Sequence, residues 1–420
     1  MKSGINRVAS NLALYELYLL RLSLFFLPLV FVGLHPYANF YLSDFFIFLF
    51  VFSRFVRVGK IRGFFLLIGV FLVFWGYLIG AVFSNEFAGW HTLTASLQYG
   101  LVFLFLIALS GVYCDKNLYV SLFKSAVFGM VLIAILNLFL LFISGESFSS
   151  SAGRYYGLWG NPNSLGRQSL VCVSFVLAYV FLVRESIRVS FELAYLLLGV
   201  LVSFYLVMAS ASFGALASAF VLLLAFFLIY LGSNVLLTKK IVIGVGFFFL
   251  IAFLFLFFSG TELKSIVPEG FYNRVLLAES LEGSGSATTK INQMITGITI
   301  FINSPIVGAG VESGRYLNKE SLLSVGGYVP FHSFWITVLV EGGLFSLLGY
   351  VLIYLAAIRA ALSNKNYSSA LVFLLFLYFF NLIIAVNQLD RYLWMPLYFC
   401  FINVLGNCGG VNDRIYRDAK

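Results

Sequence analysis

The stretch VPFHSFWITVLVEGGLFSLLGYVLIY, residues 329–354, carries two ionisable side chains in what otherwise reads as a membrane helix. His332 stands where the apolar run begins, and Glu341 interrupts it. A histidine titrates near neutral pH and can take a proton from a hydroxyl group. His332 is therefore a candidate general base, with an interfacial hydrogen-bonding role as the structural alternative.

Glu341 lies nine residues after His332. In a continuous helix this separation places the two side chains on opposite faces, with Glu341 ~13 Å deeper. The two residues are therefore not expected to form a catalytic dyad. A glutamate at that depth must face protein or be protonated, so we predict that Glu341 has a structural role and bonds a neighbouring helix.

A second candidate site is GRYYGLWGNPNSLGR, residues 153–167. Asn161-Pro162-Asn163 is typical of a turn, and Asn163 is suited to cap the following helix. Arg154 is flanked by aromatic residues, and Arg167 lies one helical turn after Asn163 on the same face. The structural alternative is an aromatic belt whose arginine reaches lipid phosphates.

Composition defines the class of protein that must position these residues. Apolar residues make up 61% of the 420 and charged residues 10%, with a mean hydropathy of +1.00. These values exclude a soluble domain. The sequence predicts an all-α, polytopic, single integral membrane domain over residues 1–420. Apolar runs of suitable length predict about twelve spans, at 12–34, 37–53, 63–83, 91–113, 118–143, 165–183, 193–209, 212–231, 239–258, 333–357, 368–387 and 391–407.

Lysines and arginines concentrate in alternate connections, which predicts cytoplasmic N- and C-termini. The inner segments hold Lys2, Arg7, Arg54, Arg57, Lys60, Arg62, Lys116, Arg184, Arg188, Lys239, Lys240, Arg359, Lys365, Arg414, Arg417 and Lys420. The formal net charge of +9 is thereby assigned mainly to topology. No basic cluster interleaves with exposed aromatics, so a nucleic-acid partner is not expected.

Two longer connections, 144–164 and 259–331, fall on the outer face in this topology. Loops of such length are usually functional or disordered. The second contains a predicted helix at 290–304, whose apolar positions recur at helical spacing: Ile291, Ile295, Ile298 and Ile302. We interpret it as an amphipathic helix on the outer membrane surface. The chain has three histidines and no CxxC or HxxxH spacing, so neither a metal nor another cofactor is expected.

Taken together, these motifs resemble the O-antigen ligase/O-antigen polymerase superfamily. The resemblance rests on an Arg-aromatic-GNPN segment before a span, a small-residue stretch ASASFGAL in a later span, a loop helix ending in SPIVGAG, and HSFWITVLVEGGL. It covers about Gly153 to Tyr354. It implies a glycosyltransferase of GT-C-like fold that acts on undecaprenyl-pyrophosphate-linked glycans at the periplasmic face, without a metal.

The resemblance also implies roles for individual residues. His332 matches the catalytic histidine of the superfamily. Of the two arginines that hold the pyrophosphate in the ligase branch, one is replaced here by Phe213 and the other by Lys290, which keeps the charge but not the bidentate fork. This departure favours the polymerase branch. The remaining candidates to bind pyrophosphate or glycan are Arg154, Arg167, Arg274 and Arg315.

The resulting hypothesis is an O-antigen or related polysaccharide polymerase of the bacterial inner membrane, with the bilayer, the lipid-linked oligosaccharide and optionally a chain-length regulator as partners. One alternative is an O-antigen ligase that transfers the glycan to lipid A core. A more distant alternative is a lipid-glycan transporter or flippase. Transport is favoured by charges inside predicted spans, namely Arg21, Asp44, Lys124 and Arg391, but the sequence has no related halves.

Overall fold

Most apolar segments of the chain are helical in the computed structural model. The structure describes residues 12–29, 41–58, 63–83, 90–144, 154–159, 161–183, 191–212, 285–317, 331, 333–364, 367–384 and 391–404, with short pieces between 214 and 222.

The first half of the chain contributes seven described helices and one short strand. These are α1 Leu14–Phe26, α2 Leu42–Val58, α3 Phe64–Phe83, α4 Trp90–Ser110, β1 Tyr113–Cys114, α5 Lys116–Ser144, a 3-10 turn at Gly157–Trp159, α6 Pro162–Val183 and α7 Phe191–Ser210. The second half contributes α8 Gly285–Asn303, α9 Ser313–Leu317, α10 Phe334–Ser363, α11 Ser368–Ile384, a 3-10 turn at Arg391–Trp394, α12 Met395–Phe401 and β2 Asn403–Val404.

Five of the described helices are long and apolar enough to cross a membrane, namely Phe64–Val82, Lys116–Ile143, Pro162–Val183, Phe191–Ser210 and Phe334–Ser363. The protein is therefore a mostly helical, multi-pass membrane protein. These helices agree with five of the predicted spans to within a few residues, except that α10 continues six residues further than predicted. Most of the predicted spans 212–231 and 239–258 lies outside the described residues.

The predicted span 391–407 is wrong as a single transmembrane helix. A 3-10 turn and the seven-residue α12 fill its first part, and β2 then pairs with β1 in parallel. The Asn403 side chain donates to the Ser110 carbonyl at 2.8 Å. Trp394 packs on Phe103, with ring centroids 5.6 Å apart. The segment is hydrophobic because it lies in the protein core, and hydropathy cannot distinguish that position from lipid.

The charged end of α2 is also placed differently from the prediction. Arg54 and Arg57, expected in an inner connection, belong to α2. Both pair with the buried Glu16 of α1, Arg54 at 3.4 Å and Arg57 at 2.6 Å. Arg54 also donates to the Gly111 carbonyl. The Glu16 carboxylate compensates the positive charges of Arg54 and Arg57. Helix α2 can therefore continue through these two residues, beyond its last purely apolar residue.

Small residues allow α3 and α10 to cross at close range. A Cβ atom at Gly76 would lie 2.5 Å from the Gly342 carbonyl oxygen, and one at Gly69 would lie 2.7 Å from that of Gly349. The Ser346 hydroxyl donates to the Val73 carbonyl at 3.1 Å. Such contacts between small residues are the usual means by which membrane helices associate. They hold α10 firmly against the bundle.

Candidate functional site

The helix α10 is broken at Gly343, which has a φ of 60°. Beyond the break, the Leu344 amide donates to the Pro305 carbonyl at 2.9 Å and the Phe345 amide donates to the Ile306 carbonyl at 3.2 Å. Non-helical backbone at membrane depth is tolerated only where its polar groups are satisfied inside the protein. Here the hydrogen-bond acceptors are backbone carbonyls of residues that follow α8.

The same segment also donates hydrogen bonds to backbone carbonyls of α10 before the break. The Ala309 amide donates to the Val340 carbonyl and the Gly310 amide to the Glu341 carbonyl, both at 2.8 Å. We call residues 304–310 the docking segment. It therefore makes backbone hydrogen bonds on both sides of the break, and it fixes the end of α8 to the middle of α10.

Glycine is required where the docking segment meets α3 and α10. Gly308 has a φ of 66°, and a Cβ atom there would lie 2.5 Å from the Glu341 carbonyl carbon. A Cβ atom at Gly80 would lie 2.5 Å from the Val307 carbonyl oxygen. Sequence reasoning interpreted SPIVGAG as the end of the loop helix and as one motif of the family resemblance. The signal that it missed was the pairing of this motif with the Glu-Gly-Gly of α10.

Glu341 is buried at the break, and its Oε1 lies 3.2 Å from the position that a Cβ atom of Gly314 would occupy. Its carboxyl group is thus directed toward the short helix α9. This geometry supports the predicted structural role, and the role itself stays a prediction. Arg315 belongs to α9, but its side chain is outside the described residues.

His332 lies outside the described residues, but both of its sequence neighbours are described and buried. The Phe331 ring packs with Ile336 and Val340 of α10. Cβ atoms at Gly297 of α8 or at Gly314 would each lie 3.5 Å from that ring. The chain on the N-terminal side of His332 is therefore anchored where α8, α9 and α10 meet.

The predicted helix at 290–304 is confirmed as α8, which begins earlier, at Gly285. Its predicted apolar stripe is exposed at Ile295, Ile298 and Ile302, while Ile291 has no described side chain. The opposite stripe, with Gln293 and Gly297, is buried. Lys290 belongs to the helix, and its side chain is outside the described residues.

The GNPN segment begins α6, but the predicted capping residue is wrong. Asn161 caps the helix, because its Oδ1 accepts the Asn163 amide at 2.8 Å. Pro162 is the first helical residue, a position that proline favours because it needs no amide donor. The capping residue must then be Asn161. Asn163 instead accepts a hydrogen bond from the Arg154 guanidinium at 2.9 Å.

Arg154 links the start of α6 to the end of α7. Its Nε donates to the Ser210 carbonyl at 3.0 Å, and the next amide, of Tyr155, donates to the Ala209 carbonyl at 3.1 Å. The last carbonyls of a helix lack hydrogen-bond donors within it. Arg154 and Tyr155 supply two such donors to the end of α7. The Tyr155 hydroxyl donates to the Asn137 carbonyl of α5 at 2.7 Å. Arg154 thus has a structural position between protein elements.

Arg167 is in a different situation. It is 5% exposed, and its Nη2 donates only to the Ser164 hydroxyl at 3.2 Å. Within the described part of the chain its Nε has no hydrogen-bond partner and no carboxylate pairs with it. The neighbouring Gln168 is fully buried, and its amide atoms also lack partners there. The first turns of α6 therefore hold a buried positive charge without a described counter-ion.

The structure thus places the predicted site residues on two sets of elements. Arg154, Asn161, Asn163 and Arg167 lie at the start of α6, and Glu341 lies at the α10 break. The chain positions of Lys290 and Arg315 lie on α8 and α9. Arg274 and Phe213 lie outside the described residues. Two buried glutamines without described partners, Gln168 and Gln293, were missed by sequence reasoning, because nothing local distinguishes them.

Comparison with known proteins gives a match to one family. Residues 198–351 match the family described as O-antigen ligase. No curated protein and no solved structure matches the chain. The matched segment includes α8, the docking segment, α9 and the break in α10. Of the motifs that carried the resemblance, ASASFGAL, SPIVGAG and HSFWITVLVEGGL lie within the match, and the GNPN segment lies before it. The match over residues 198–351 supports the resemblance of this chain to the O-antigen ligase/polymerase superfamily.

Proposed function

We propose that the protein is a metal-independent glycosyltransferase that acts as an O-antigen or related polysaccharide polymerase. It works at the periplasmic face of the bacterial inner membrane, with both termini in the cytoplasm. The observation that carries the proposal is the O-antigen ligase family domain at 198–351, which contains His332. The long apolar helices support a position of this domain in a bilayer, which is also the location of a lipid-linked substrate.

In the proposed reaction, a hydroxyl oxygen of the acceptor glycan attacks the anomeric carbon of the donor glycan. The bond from that carbon to the pyrophosphate oxygen breaks, and His332 accepts the hydroxyl proton. The products are a lengthened lipid-linked glycan and undecaprenyl pyrophosphate. Because the leaving group is already an anion of low basicity, the step needs cations near the pyrophosphate rather than a strong general acid.

Arg167 is the described cation best suited to hold that pyrophosphate. A buried arginine without a carboxylate is costly, and a phosphate oxygen accepts well from a guanidinium. The position of Arg167 near the N-terminus of α6 adds the helix dipole in the same direction. Arg154 instead supports the site by holding α6 to α7. Lys290, Arg274 and Arg315 remain proposed additional ligands from the 259–331 loop.

The docking segment gives this loop a fixed attachment. Its hydrogen bonds to the α10 break hold the end of α8 against the bundle. A base and a phosphate ligand on separate elements must keep a constant separation for in-line attack. A rigid joint between α8 and α10 supports that requirement, so we infer that the break has a positioning role.

The transporter alternative is less consistent with the described contacts. Arg21 donates to Ser121, Asp44 accepts from the Tyr41 amide at the start of α2, and Lys124 pairs with Glu192 at 2.9 Å. Asp44 and Lys124 therefore have partners within the protein, whereas Arg21 has only the serine hydroxyl and its Nε lacks a described partner. The Arg391 side chain lies outside the described residues. The backbone groups at the α10 break are likewise taken by the docking segment, whereas broken transporter helices direct theirs at the substrate.

The test is an extension assay with the full-length protein in proteoliposomes. The substrate is an undecaprenyl-pyrophosphate-linked repeat unit, supplied with or without lipid A core. Polymerase activity is shown by longer lipid-linked chains without core. Transfer that occurs only when core is present supports the ligase alternative, and movement of substrate across the bilayer without a new glycosidic bond contradicts the enzyme proposal.

A further inference from the structure

The buried face of α8 carries a polar side chain that the proposed reaction has not used. Gln293 is 1% exposed, and neither its amide nitrogen nor its amide oxygen has a hydrogen-bond partner among the described residues. Buried polar groups in folded proteins are almost always hydrogen-bonded, because an unpaired one costs free energy. Among the described residues, its two amide atoms are therefore available to a ligand.

The position of Gln293 follows from the packing of α8 on α10. Pro305 bonds to Leu344, and eight residues earlier on both elements Gly297 faces the side chain of Ile336. The two segments therefore run parallel. One helical turn before Gly297, Gln293 is level with the start of α10, where Ser333 is buried.

The chemistry of a carboxamide narrows the class of ligand. The amide nitrogen donates and the amide oxygen accepts. A phosphate group has only acceptors to offer at neutral pH, and would leave the amide oxygen unpaired. A lipid tail offers neither donor nor acceptor. Two adjacent hydroxyl groups on a sugar ring satisfy both atoms, since one hydroxyl donates and the other accepts.

We propose that Gln293 binds a pair of adjacent hydroxyl groups on a sugar of the lipid-linked glycan, at the start of α10, and so helps to select the glycan that reacts. This inference rests on the proposed function. It assigns to α8 a glycan-reading role in addition to the charge of Lys290. The exposed isoleucine stripe lies on the other face of α8, away from Gln293.

The experiment compares Gln293→Leu with wild type in proteoliposomes that contain an undecaprenyl-pyrophosphate-linked repeat unit. Leucine is of similar size and has no polar atoms, so kcat/KM should fall by about tenfold or more. The thermal unfolding midpoint of the substrate-free protein should not fall, because no internal hydrogen bond is lost. Gln293→Met serves the same purpose if the leucine variant does not fold.

The matched control is Thr299→Val on the same helix. Thr299 is exposed, and its hydroxyl donates only within α8, to the Ile295 carbonyl at 3.0 Å. This variant should stay within about twofold of wild type. It separates the loss of the Gln293 amide from a general disturbance of the helix.

A set of substrates that each lack one hydroxyl provides the decisive readout. Wild type should lose about tenfold on the analogue without a contacted hydroxyl, whereas Gln293→Leu should lose little more on that analogue. The Gln293 proposal alone is overturned if the activity of Gln293→Leu stays within twofold of wild type. It is also overturned if, for every analogue, the loss from the substitution and the loss from the missing hydroxyl simply add. If wild type extends no glycan, the proposed function fails and the Gln293 site fails with it.

Discussion

Arg54 and Arg167 are almost equally removed from solvent, at 2% and 5% exposure, but their surroundings differ. Arg54 has the carboxylate of Glu16 and the carbonyl of Gly111. Arg167 has one serine hydroxyl, and no carboxylate pairs with it in the described structure. Removing one partner of a compensated buried guanidinium is costly, whereas an uncompensated guanidinium is suited to bind an anion from elsewhere. The comparison contrasts a paired arginine with the arginine that we propose to bind the pyrophosphate.

The largest effect is expected from His332→Ala, which tests the proposed general base, whereas the two arginines are compared by charge alone. Loss of a general base should lower kcat by about 10²–10⁴-fold, while binding of the lipid-linked glycan stays near its wild-type value. Single-turnover transfer and equilibrium binding in nanodiscs measure the two quantities. Near-normal turnover would remove the proposed base.

Arg167→Met should lower kcat/KM by about 100-fold, because a charge-assisted hydrogen bond to the leaving pyrophosphate is lost. The thermal unfolding midpoint should not fall, since the variant removes an uncompensated buried charge. Arg167→Lys should recover part of the activity. A midpoint that drops together with normal activity per folded molecule would make Arg167 a structural residue like Arg54.

Arg54→Met should show the reverse pattern. Removing one partner of a buried ion pair usually costs about 3–5 kcal/mol. Because Arg57 still pairs with Glu16, we expect a loss of about 2 kcal/mol. Activity per folded molecule should be unchanged. The control is Arg359→Met, an exposed arginine of α10, and the measurement is thermal unfolding in detergent. A selective loss of transfer would contradict the structural assignment.

The smallest effect is expected at the cap of α6, which holds the first turns around Arg167. Asn161→Ala should destabilise the protein by about 1 kcal/mol, as N-cap losses usually do. Asn163→Ala removes the contact with Arg154 instead, and should leave the cap intact. Thermal unfolding of the two variants compares them directly. A larger loss in Asn163→Ala than in Asn161→Ala would contradict the observed capping.

Parts of the site could be predicted because they depend on local sequence. The helix at α8 follows from the spacing of its isoleucines, and the turn at Asn161-Pro162 follows from its residue types. The break in α10 could not be predicted. Its Glu-Gly-Gly is compatible with a continuous helix, and the groups that satisfy the broken backbone lie more than thirty residues earlier in the chain.

The sequence by itself determined that this is a multi-pass helical membrane protein and which motifs it shares with the O-antigen ligase/polymerase superfamily. Length of apolar runs and local residue types carry that information. Only the tertiary structure decided that Arg54 is paired, that Arg154 joins α6 to α7, and that the Arg167 Nε and the Gln293 amide group lack described partners. The physical reason is that compensation of a buried charge or amide depends on groups distant in sequence, which no local pattern specifies.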